Sequence, residues 1–430
     1  MKIPQHILAY EKKCIIDGRP PVLSTPGGIE QIVVIPALAE KRSLLATLAG
    51  LARNSHTELR RTLILCVINN RGSHLASPRD INNNRDTINY LQALINRLPC
   101  DFRNGDKELA EVWPKLRQSP LRLAYIDASS PGREMPDKSG GVGAARKTGM
   151  DAALRLFDYT ISGEKLLISL DADTLVEDNY LEAIRSFFLQ EKAAAAVVNF
   201  VHQRPAMTRR RIAICTYEIF LRYYVLGLRY AGSPYSFHTV GSAMACTADA
   251  YVAVGGMNMR DAAEDFYFLN KLAKYKAVGQ IATTTVHPSA RPSRRVPFGT
   301  GRRIIRFLER GEDEFLLYDP RVFLVLKKWL DNMKASPDRE TEGIMSLAEK
   351  IDPLLLSFLE MNHFPETWQR IRANVKQREG LLRHFHFWFD GFKTMKLIHF
   401  LTDHGFPQID MFQALAGLLR IRESGPSQPD

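Results

Sequence analysis

The sequence predicts an α/β fold in which a parallel or mostly parallel sheet is flanked by helices and followed by a helical C-terminal region. Two observations predict it. Short β-branched runs alternate with helical patterns over the first 200 residues, and such alternation builds parallel or mostly parallel sheets. From about residue 304 to residue 421 the chain instead shows helical spacing with polar breaks.

The first predicted elements form a βαβ unit. Residues 31–36 (QIVVIP) and 63–68 (LILCVI) are apolar, β-branched runs, and residues 40–53 between them carry leucines on one helical face. The crossover of such a unit should be right-handed. Further strands are predicted at 121–126, 166–170 and 193–201, and further helices at 82–98, 140–156, 212–229 and 263–274.

Composition sets the outline of the chain. Its 430 residues are 45% hydrophobic and 24% charged, which is ordinary for a globular protein and enough for two or three domains. We predict an irregular N-terminal lead-in over 1–30 and an α/β domain over 31–303, divided into 31–200 and 201–303. A helical region over 304–421 and a disordered tail over 422–430 follow.

The net charge and the cysteine content indicate which kind of partner and which cellular compartment to expect. The formal net charge of +11 indicates an anionic partner, such as a nucleotide, a phosphorylated lipid surface or a nucleic acid. The five cysteines show no CxxC spacing, which argues against a zinc site and fits a reducing compartment. Neither a signal-peptide pattern nor a run of about 18 apolar residues is present. We therefore expect a cytoplasmic protein, or one that is peripheral at the inner face of a membrane.

Two carboxylates follow a buried strand at 166–170, namely Asp171 and Asp173. Like charges at this point repel and resist desolvation, whereas Mg²⁺ or Mn²⁺ would remove the conflict and could neutralise a diphosphate. Open α/β sheets bind ligands at this edge. The alternative is a solvated turn with Asp171 near a helix N-cap, so the rest of the chain has to decide.

Further features bear on that choice. Glu264 and Asp265 open a helix, where the helix dipole favours acids, or else Asp265 is a general base for an acceptor hydroxyl. His287 ends a threonine-rich strand as an ordinary edge residue or as a third metal ligand. The segment 288–303, rich in Pro, Arg and Gly, includes Arg294 and Arg295. It is either a solvated loop, which could touch anionic lipid, or a mobile lid whose arginines bind a diphosphate.

A glycine-rich segment at 138–146 matches neither a dinucleotide fingerprint nor a P-loop. Here Gly143 would let a helix N-terminus approach a ligand, and Lys138 or Arg146 would supply positive charge. Asn69 could bind a base or ribose, although asparagine is also common in turns. The residues expected beside this segment, at the ends of the first two strands, are Pro36, Ala37, Glu40 and Asn69.

Several segments, in order, resemble family 2 glycosyltransferases of the GT-A fold. They span about residues 31–300 and are IVVIPALAE (32–40), VINN (67–70), GVGAARKTGMDAAL (141–154), LLISLDADTLVEDNYL (166–181), GSAMACTADAYVAVGGM (241–257), AEDFYFLNKLAK (263–274) and VHPSARPS (286–293). The resemblance implies a catalytic GT-A domain over 31–303, built on a mixed, Rossmann-like sheet flanked by helices. Its nucleotide-sugar half would span 31–200, and its acceptor half, with the arginine-rich loop, would span 201–303.

The resemblance also implies roles for individual residues. Asp173 would bind the divalent metal, Mn²⁺ or Mg²⁺, and Asp171 would contact the ribose or reach the metal through water. His287 would be a further metal ligand. Asp265 would be the catalytic base, with Glu264 beside it orienting the acceptor. The nucleoside pocket would be lined by Asn69 and Glu40.

The chain departs from the family pattern at residues 69–72, where NNRG replaces an acid-rich signature, and it lacks the Gln-X-X-Arg-Trp motif of processive members. We therefore expect a metal-dependent, non-processive, inverting enzyme that transfers a hexosyl or related group. Its acceptor would be a small molecule, a glycan or a lipid-linked molecule, and no nucleic acid is expected as a partner. The alternatives are a sugar nucleotidyltransferase and a catalytically silent nucleotide- or anion-binding protein.

The helical region after residue 304 matches no family pattern. Its aromatic segment at 381–401 is either a core helix pair or an interfacial segment that docks on a membrane.

Overall fold

A mixed β-sheet forms the centre of the first of two units into which the chain divides. The computed structural model describes residues 3–15, 18–23, 27–72, 74–100, 102, 107–138, 140–295, 299–310 and 314–423. The first unit comprises Met1–Pro205 and Thr239–Gly301, and the second comprises Ala206–His238 and Arg302–Asp430.

The strands, in chain order, are β1 (Val22–Leu23), β2 (Gln31–Ala37), β3 (Thr62–Asn69), β4 (Arg122–Ala128), β5 (Leu166–Ser169), β6 (Leu175–Val176), β7 (Ala195–Phe200), β8 (Met244–Thr247), β9 (Val278–His287), β10 (Leu316–Leu317) and β11 (Ile409–Asp410). The first nine make one sheet in the described part of the chain, in the order β1-β4-β3-β2-β5-β8-β7-β9-β6. The last two form an antiparallel pair in the second unit.

The helices, in chain order, are α1 (Gln5–Cys14), α2 (Lys41–Leu51), α3 (His56–Arg61), α4 (Pro78–Ile95), α5 (Lys107–Gln118), α6 (Val142–Ala153), α7 (Tyr180–Glu191), α8 (Thr208–Tyr230), α9 (Ala248–Ala253), α10 (Glu264–Tyr275), α11 (Thr300–Arg310), α12 (Pro320–Ala335), α13 (Thr341–Ile351), α14 (Pro353–Met361), α15 (Phe364–Asn374), α16 (Arg378–Trp388), α17 (Gly391–His404) and α18 (Met411–Glu423). A 3₁₀ turn at Gly241–Ala243 precedes β8.

Four parallel strands, β4-β3-β2-β5, form the middle of the sheet. Strands β2, β3 and β5 are buried throughout, as expected for strands covered on both faces. Their order is that of a nucleotide-binding α/β half, in which ligands bind at the carboxyl ends of the strands. Strand β8 is antiparallel to both β5 and β7, which makes the sheet mixed. The predicted fold class is therefore confirmed.

The N-terminal segment differs from the predicted irregular lead-in, because residues 5–14 form α1. Within it, Tyr10 donates a hydrogen bond of 2.8 Å to Asp151, which also accepts from Tyr251 at 2.7 Å and from Lys147 at 2.8 Å. These groups are buried. The partners of α1 lie more than 100 residues away in the chain, so its local sequence gives little sign of them.

Helix α6 lies unusually close to the sheet at Gly149. A Cβ there would stand 2.4 Å from Val34 Cγ1 and 2.8 Å from Val67 Cγ2. We expect Gly149→Ala to lower the free energy of unfolding by about 1–3 kcal/mol, because the added methyl overpacks a rigid contact. Chemical denaturation measures the loss. The control is Gly18→Ala, where a Cβ meets nothing within 4 Å; an equal loss there would contradict the explanation.

The second unit has its own apolar core, built from α8 and the C-terminal helices. Helix α8 therefore lies outside the unit in which the predicted 201–303 boundary placed it, because Tyr223 and Leu228 join this core. In the segment 381–401, Phe385, Phe389 and Leu397 are fully buried. The structure thus agrees with a core helix pair and not with an interfacial segment.

The end of the predicted arginine-rich loop and the start of the predicted tail both lie within helices. The expected mobile loop at 288–303 ends in α11, which begins at Thr300, and residues 296–298 lie outside the described residues. Helix α18 continues to Glu423, and the remainder of the predicted tail, 424–430, is likewise outside them. Among the helices that the structure describes, none is both long and apolar enough to cross a bilayer.

Candidate active site

The predicted acids gather near the carboxyl end of β5. Asp171 and Asp173 follow this strand directly. The 3₁₀ turn at Gly241–Ala243 comes beside them, because Ser169 pairs with Met244 where β8 begins. Helix α10 starts at Glu264. Residues from distant parts of the sequence therefore meet at one sheet edge.

A buried guanidinium joins two of these acids. Arg146, on α6, is 2% exposed. Its Nη1 donates to Glu264 Oε1 and its Nη2 donates to Asp171 Oδ1. Ser242 Oγ donates to the other oxygen of Asp171 at 2.7 Å. A Cβ at Gly241 would stand 2.5 Å from Arg146 Nη2, so this position needs a glycine.

A second bridge involves Arg291, which pairs with both Glu40 and Asp173. Its Nη2 donates to Glu40 Oε1 and lies 3.0 Å from Asp173 Oδ2. Arg295 Nη1 donates to the same oxygen of Glu40. The other oxygen, Oε2, is buried and has no hydrogen-bond partner among the described residues. Glu40 is thus a buried acid with acceptor capacity left over.

The carboxyl groups of the site outnumber its guanidinium groups, and three of the carboxyl groups have raised pKa values. Burial raises the pKa of Asp173 to about 6; Arg291 opposes the rise, and Asp171 and Glu40 add to it. The pKa of Glu264 is raised by burial, against the effect of Arg146. Burial and the neighbouring Glu264 raise the pKa of Asp265. The site is therefore one where added positive charge would be stabilising.

Asp265 lies in the first turn of α10, where its Oδ1 accepts a hydrogen bond of 2.7 Å from the Phe266 backbone N–H. The helix is preceded by Ala263, which has a left-handed backbone with φ 58°. An alanine pays roughly 1–2 kcal/mol for this conformation. Such strain persists only where the surroundings hold it in place, and it is common at functional sites.

The predicted nucleoside residues also lie at this edge. Pro36 and Ala37 end β2, and Asn69 ends β3, opposite Ala128 of β4. The Asn84 amide donates to the Asn69 carbonyl oxygen at 3.1 Å and to Asn70 Oδ1 at 2.9 Å. The turn after β3 is therefore fixed by hydrogen bonds.

The glycine-rich segment behaves differently from the prediction. A Cβ at Gly143 would stand 2.5 Å from the Arg260 carbonyl oxygen and 2.8 Å from that of Asn258. The glycine therefore allows close approach to the protein's own backbone. The charge of Arg146 is already shared between two carboxylates. Lys138 and Arg294 are exposed.

The predicted metal trio of Asp171, Asp173 and His287 does not come together. No group of three or more His, Cys, Asp or Glu side chains able to hold a metal occurs in the described part of the chain. His287 Nδ1 instead lies 2.9 Å from the Val201 carbonyl oxygen, and its Nε2 lies 3.7 Å from Glu177. The sequence could not show these neighbours, because they depend on how β9 is placed.

Three residues of the site were not predicted. Arg291 lies in the arginine-rich segment but was not singled out, and Ser242 lies in a run of small residues. Gln203 carried no signal in the sequence. Its Nε2 donates to the backbone carbonyl oxygens of Asp173 and His287, both at 2.8 Å, and so ties the segment after β5 to the end of β9.

Comparisons with known proteins give structural neighbours only. No protein-family model and no curated protein matches the sequence. A structure of S. aureus TarS 1-349 in complex with UDP-GlcNAc is similar, with 10% identity over 84% of this chain and 91% of that one, at a TM-score of 0.39. Mannosyltransferase PcManGT from Pyrobaculum calidifontis, in complex with GDP-Man and Mn²⁺, has 13% identity over 96% and 94%, at a TM-score of 0.36. Because these scores are low, function has to be inferred from this chain's own site.

Proposed function

We propose that this chain is a glycosyltransferase, which transfers a sugar from a nucleoside-diphosphate donor to an acceptor hydroxyl with the help of Mn²⁺ or Mg²⁺. One observation carries the proposal: the buried Arg146 links Asp171, at the carboxyl edge of the central strands, to Glu264, which directly precedes Asp265 in the first turn of α10. One buried cation thereby holds the proposed donor-binding acid and the residue next to the candidate base.

The residues fit a divalent cation that is bound together with the donor. Carboxylate oxygens suit Mg²⁺ and Mn²⁺, and such ions are commonly held by one or two carboxylates plus substrate phosphates. Asp173, with Asp171 beside it, is the proposed ligand pair, without His287. The raised pKa of Asp173 and the unpartnered Oε2 of Glu40 reflect an excess of acid that a cation would relieve. When bound, the metal would neutralise charge on the departing diphosphate.

The chain's own residues supply the proton transfer. Asp265 takes the proton of the acceptor hydroxyl while that oxygen attacks the anomeric carbon of the donor. The bond from this carbon to the diphosphate oxygen breaks, and the nucleoside diphosphate leaves with the electron pair. Attack from the face opposite the leaving group inverts the anomeric configuration. Arg291 and Arg295 offer donors to phosphate oxygens, and Glu264, held by Arg146, fixes the start of α10.

A thermal-shift panel of UDP, GDP, CDP, ADP and dTDP, each with and without Mn²⁺, tests the proposal. Binding to the folded state alone raises its stability by RT ln(1 + [L]/Kd). We expect one nucleotide to stabilise the protein only with metal, and Asp173→Asn to abolish that shift. His287→Gln is the matched control and should keep it. No metal-dependent shift from any nucleotide would contradict the transferase and favour a silent binding protein.

The pH dependence of sugar transfer tests the proposed roles of Asp265 and Glu264. Asp265 must be ionised to act as a base, so the rate should fall as the pH drops through its raised pKa. The charged groups around it are Glu264, Arg146 and Asp171. In Glu264→Gln a like charge is removed, the pKa of Asp265 falls, and the acid limb of kcat/KM should move to lower pH. An unmoved limb, measured in an otherwise active variant, would mean that another group titrates.

A further inference from the structure

Arginines concentrate on two helices of the second unit, and none of them belongs to the candidate active site described above. Three open helix α8, and three more recur along α11. The Arg209 Nη2 donates to the Leu308 carbonyl oxygen at 3.2 Å, which brings the start of α8 to the C-terminal half of α11. We call this the arginine patch, and it consists of Arg209, Arg210, Arg211, Arg302, Arg306 and Arg310.

Helix α11 presents its arginines to solvent because its apolar residues are buried. Ile304 and Phe307 lie inside, whereas Arg302, Arg306 and Arg310 are exposed. Among the residues that the structure describes, two acids accompany them. Glu314 is buried and pairs with Arg303 and Arg306, and Glu309 is exposed on α11. Over the described residues, the six arginines of the patch outnumber these two acids.

Large apolar side chains flank the patch on α8. Met207, immediately before the helix, is 57% exposed, and Ile212, just after the three arginines, is 42% exposed. Exposed apolar groups next to cations are the combination by which peripheral proteins enter the boundary between lipid headgroups and acyl chains. Binding to a nucleic-acid backbone rests on the cations alone and does not require an exposed methionine and isoleucine.

We propose that the arginine patch, with Met207 and Ile212, docks the second unit on an anionic phospholipid surface. The charge of the patch complements acidic headgroups, and the two apolar side chains insert between them. This assigns membrane contact to α8 and α11 and not to the buried aromatic segment at 381–401. It does not depend on the proposed transferase activity.

Co-sedimentation of the full chain with vesicles tests the proposal, using phosphatidylcholine alone or mixed with phosphatidylglycerol. We expect binding only to the mixed vesicles, weakened by salt. Each arginine near an acidic surface contributes about fivefold in partitioning, so Arg209→Gln, Arg302→Gln and Arg310→Gln together should weaken binding about a hundredfold. Met207→Ser with Ile212→Ser should weaken it and leave a salt-sensitive remainder.

A charge-matched variant distinguishes binding through the arginine patch from an effect of the protein's net charge. Lys350→Gln, Arg370→Gln and Arg383→Gln remove as many positive charges from exposed positions on other helices of the same unit, and should leave vesicle binding within a few-fold of the starting protein. Equal losses in the two triple variants, each with an unchanged melting temperature, would overturn the proposal. So would a wild-type protein that ignores the mixed vesicles but binds single-stranded RNA through the same arginines.

Discussion

Asp265→Asn is expected to lower the rate of sugar transfer by about a hundredfold to ten-thousandfold, the usual contribution of a positioned general base. The substitution keeps the shape of the side chain and removes its ability to take a proton. Donor binding should persist, because Asp265 is not one of the residues proposed to bind the donor or its metal. Transfer is measured as release of nucleoside diphosphate in the presence of acceptor.

The matched control for this variant is Asp261→Asn. Asp261 lies in the segment just before α10, is exposed, and pairs with Arg71 at 2.8 Å. It should keep most of the activity, since it has no part in the proton transfer. If Asp265→Asn kept normal turnover while its nucleotide-induced thermal shift was also normal, Asp265 would not be the base, although the donor site would stand.

The chemistry of the site was predictable where residue identity and local position agree. Asp171 and Asp173 follow a run of apolar residues whose pattern predicts a short buried strand, and Glu264 and Asp265 open a helix. Both placements follow from local pattern, and both are present in the structure. The middle strands were predictable for the same reason, because a strand covered on both faces must be apolar throughout.

What the sequence could not supply is which charges meet. Arg146 and Arg291 pair with acids 25 to 251 residues away in the chain, and no local pattern encodes such distances. His287 shows the same limit: the sequence does not encode that its Nδ1 lies against the Val201 carbonyl oxygen, nor that it joins no group of three metal-binding side chains in the described part of the chain. Helix α8 shows the same limit for a whole helix. Its apolar face predicts that the helix is buried, but it does not predict which elements the helix packs against.

Arg146→Met should lower the free energy of unfolding by about 3–5 kcal/mol near neutral pH. Methionine keeps the apolar stem, so the main change is the loss of a cation between two acids. Removing one partner of a buried ion pair leaves an uncompensated charge, and this costs far more than the pair contributes when intact. Glu264 is itself buried and depends on this guanidinium.

The pH dependence of that loss identifies its cause. Without Arg146 the pKa of Glu264 rises further above its value in the unfolded chain, so the folded protein binds more protons than the unfolded one between these two values. Stability then increases as the pH falls. The difference between Arg146→Met and the starting protein should therefore be largest above neutral pH and shrink in acid. A cavity or a lost apolar contact would give a difference that does not change with pH.

Two further variants bracket the result. Arg146→Lys keeps a positive charge but lacks the planar fork that reaches both carboxylates, so its loss should be smaller and less dependent on pH. Arg53→Met removes an exposed pair with Asp178 and should cost at most about 1 kcal/mol. If Arg146→Met lowered the free energy of unfolding no more than Arg53→Met does, another group would be compensating the charges of Asp171 and Glu264. The view that one buried cation stabilises both Asp171 and Glu264 would then be wrong.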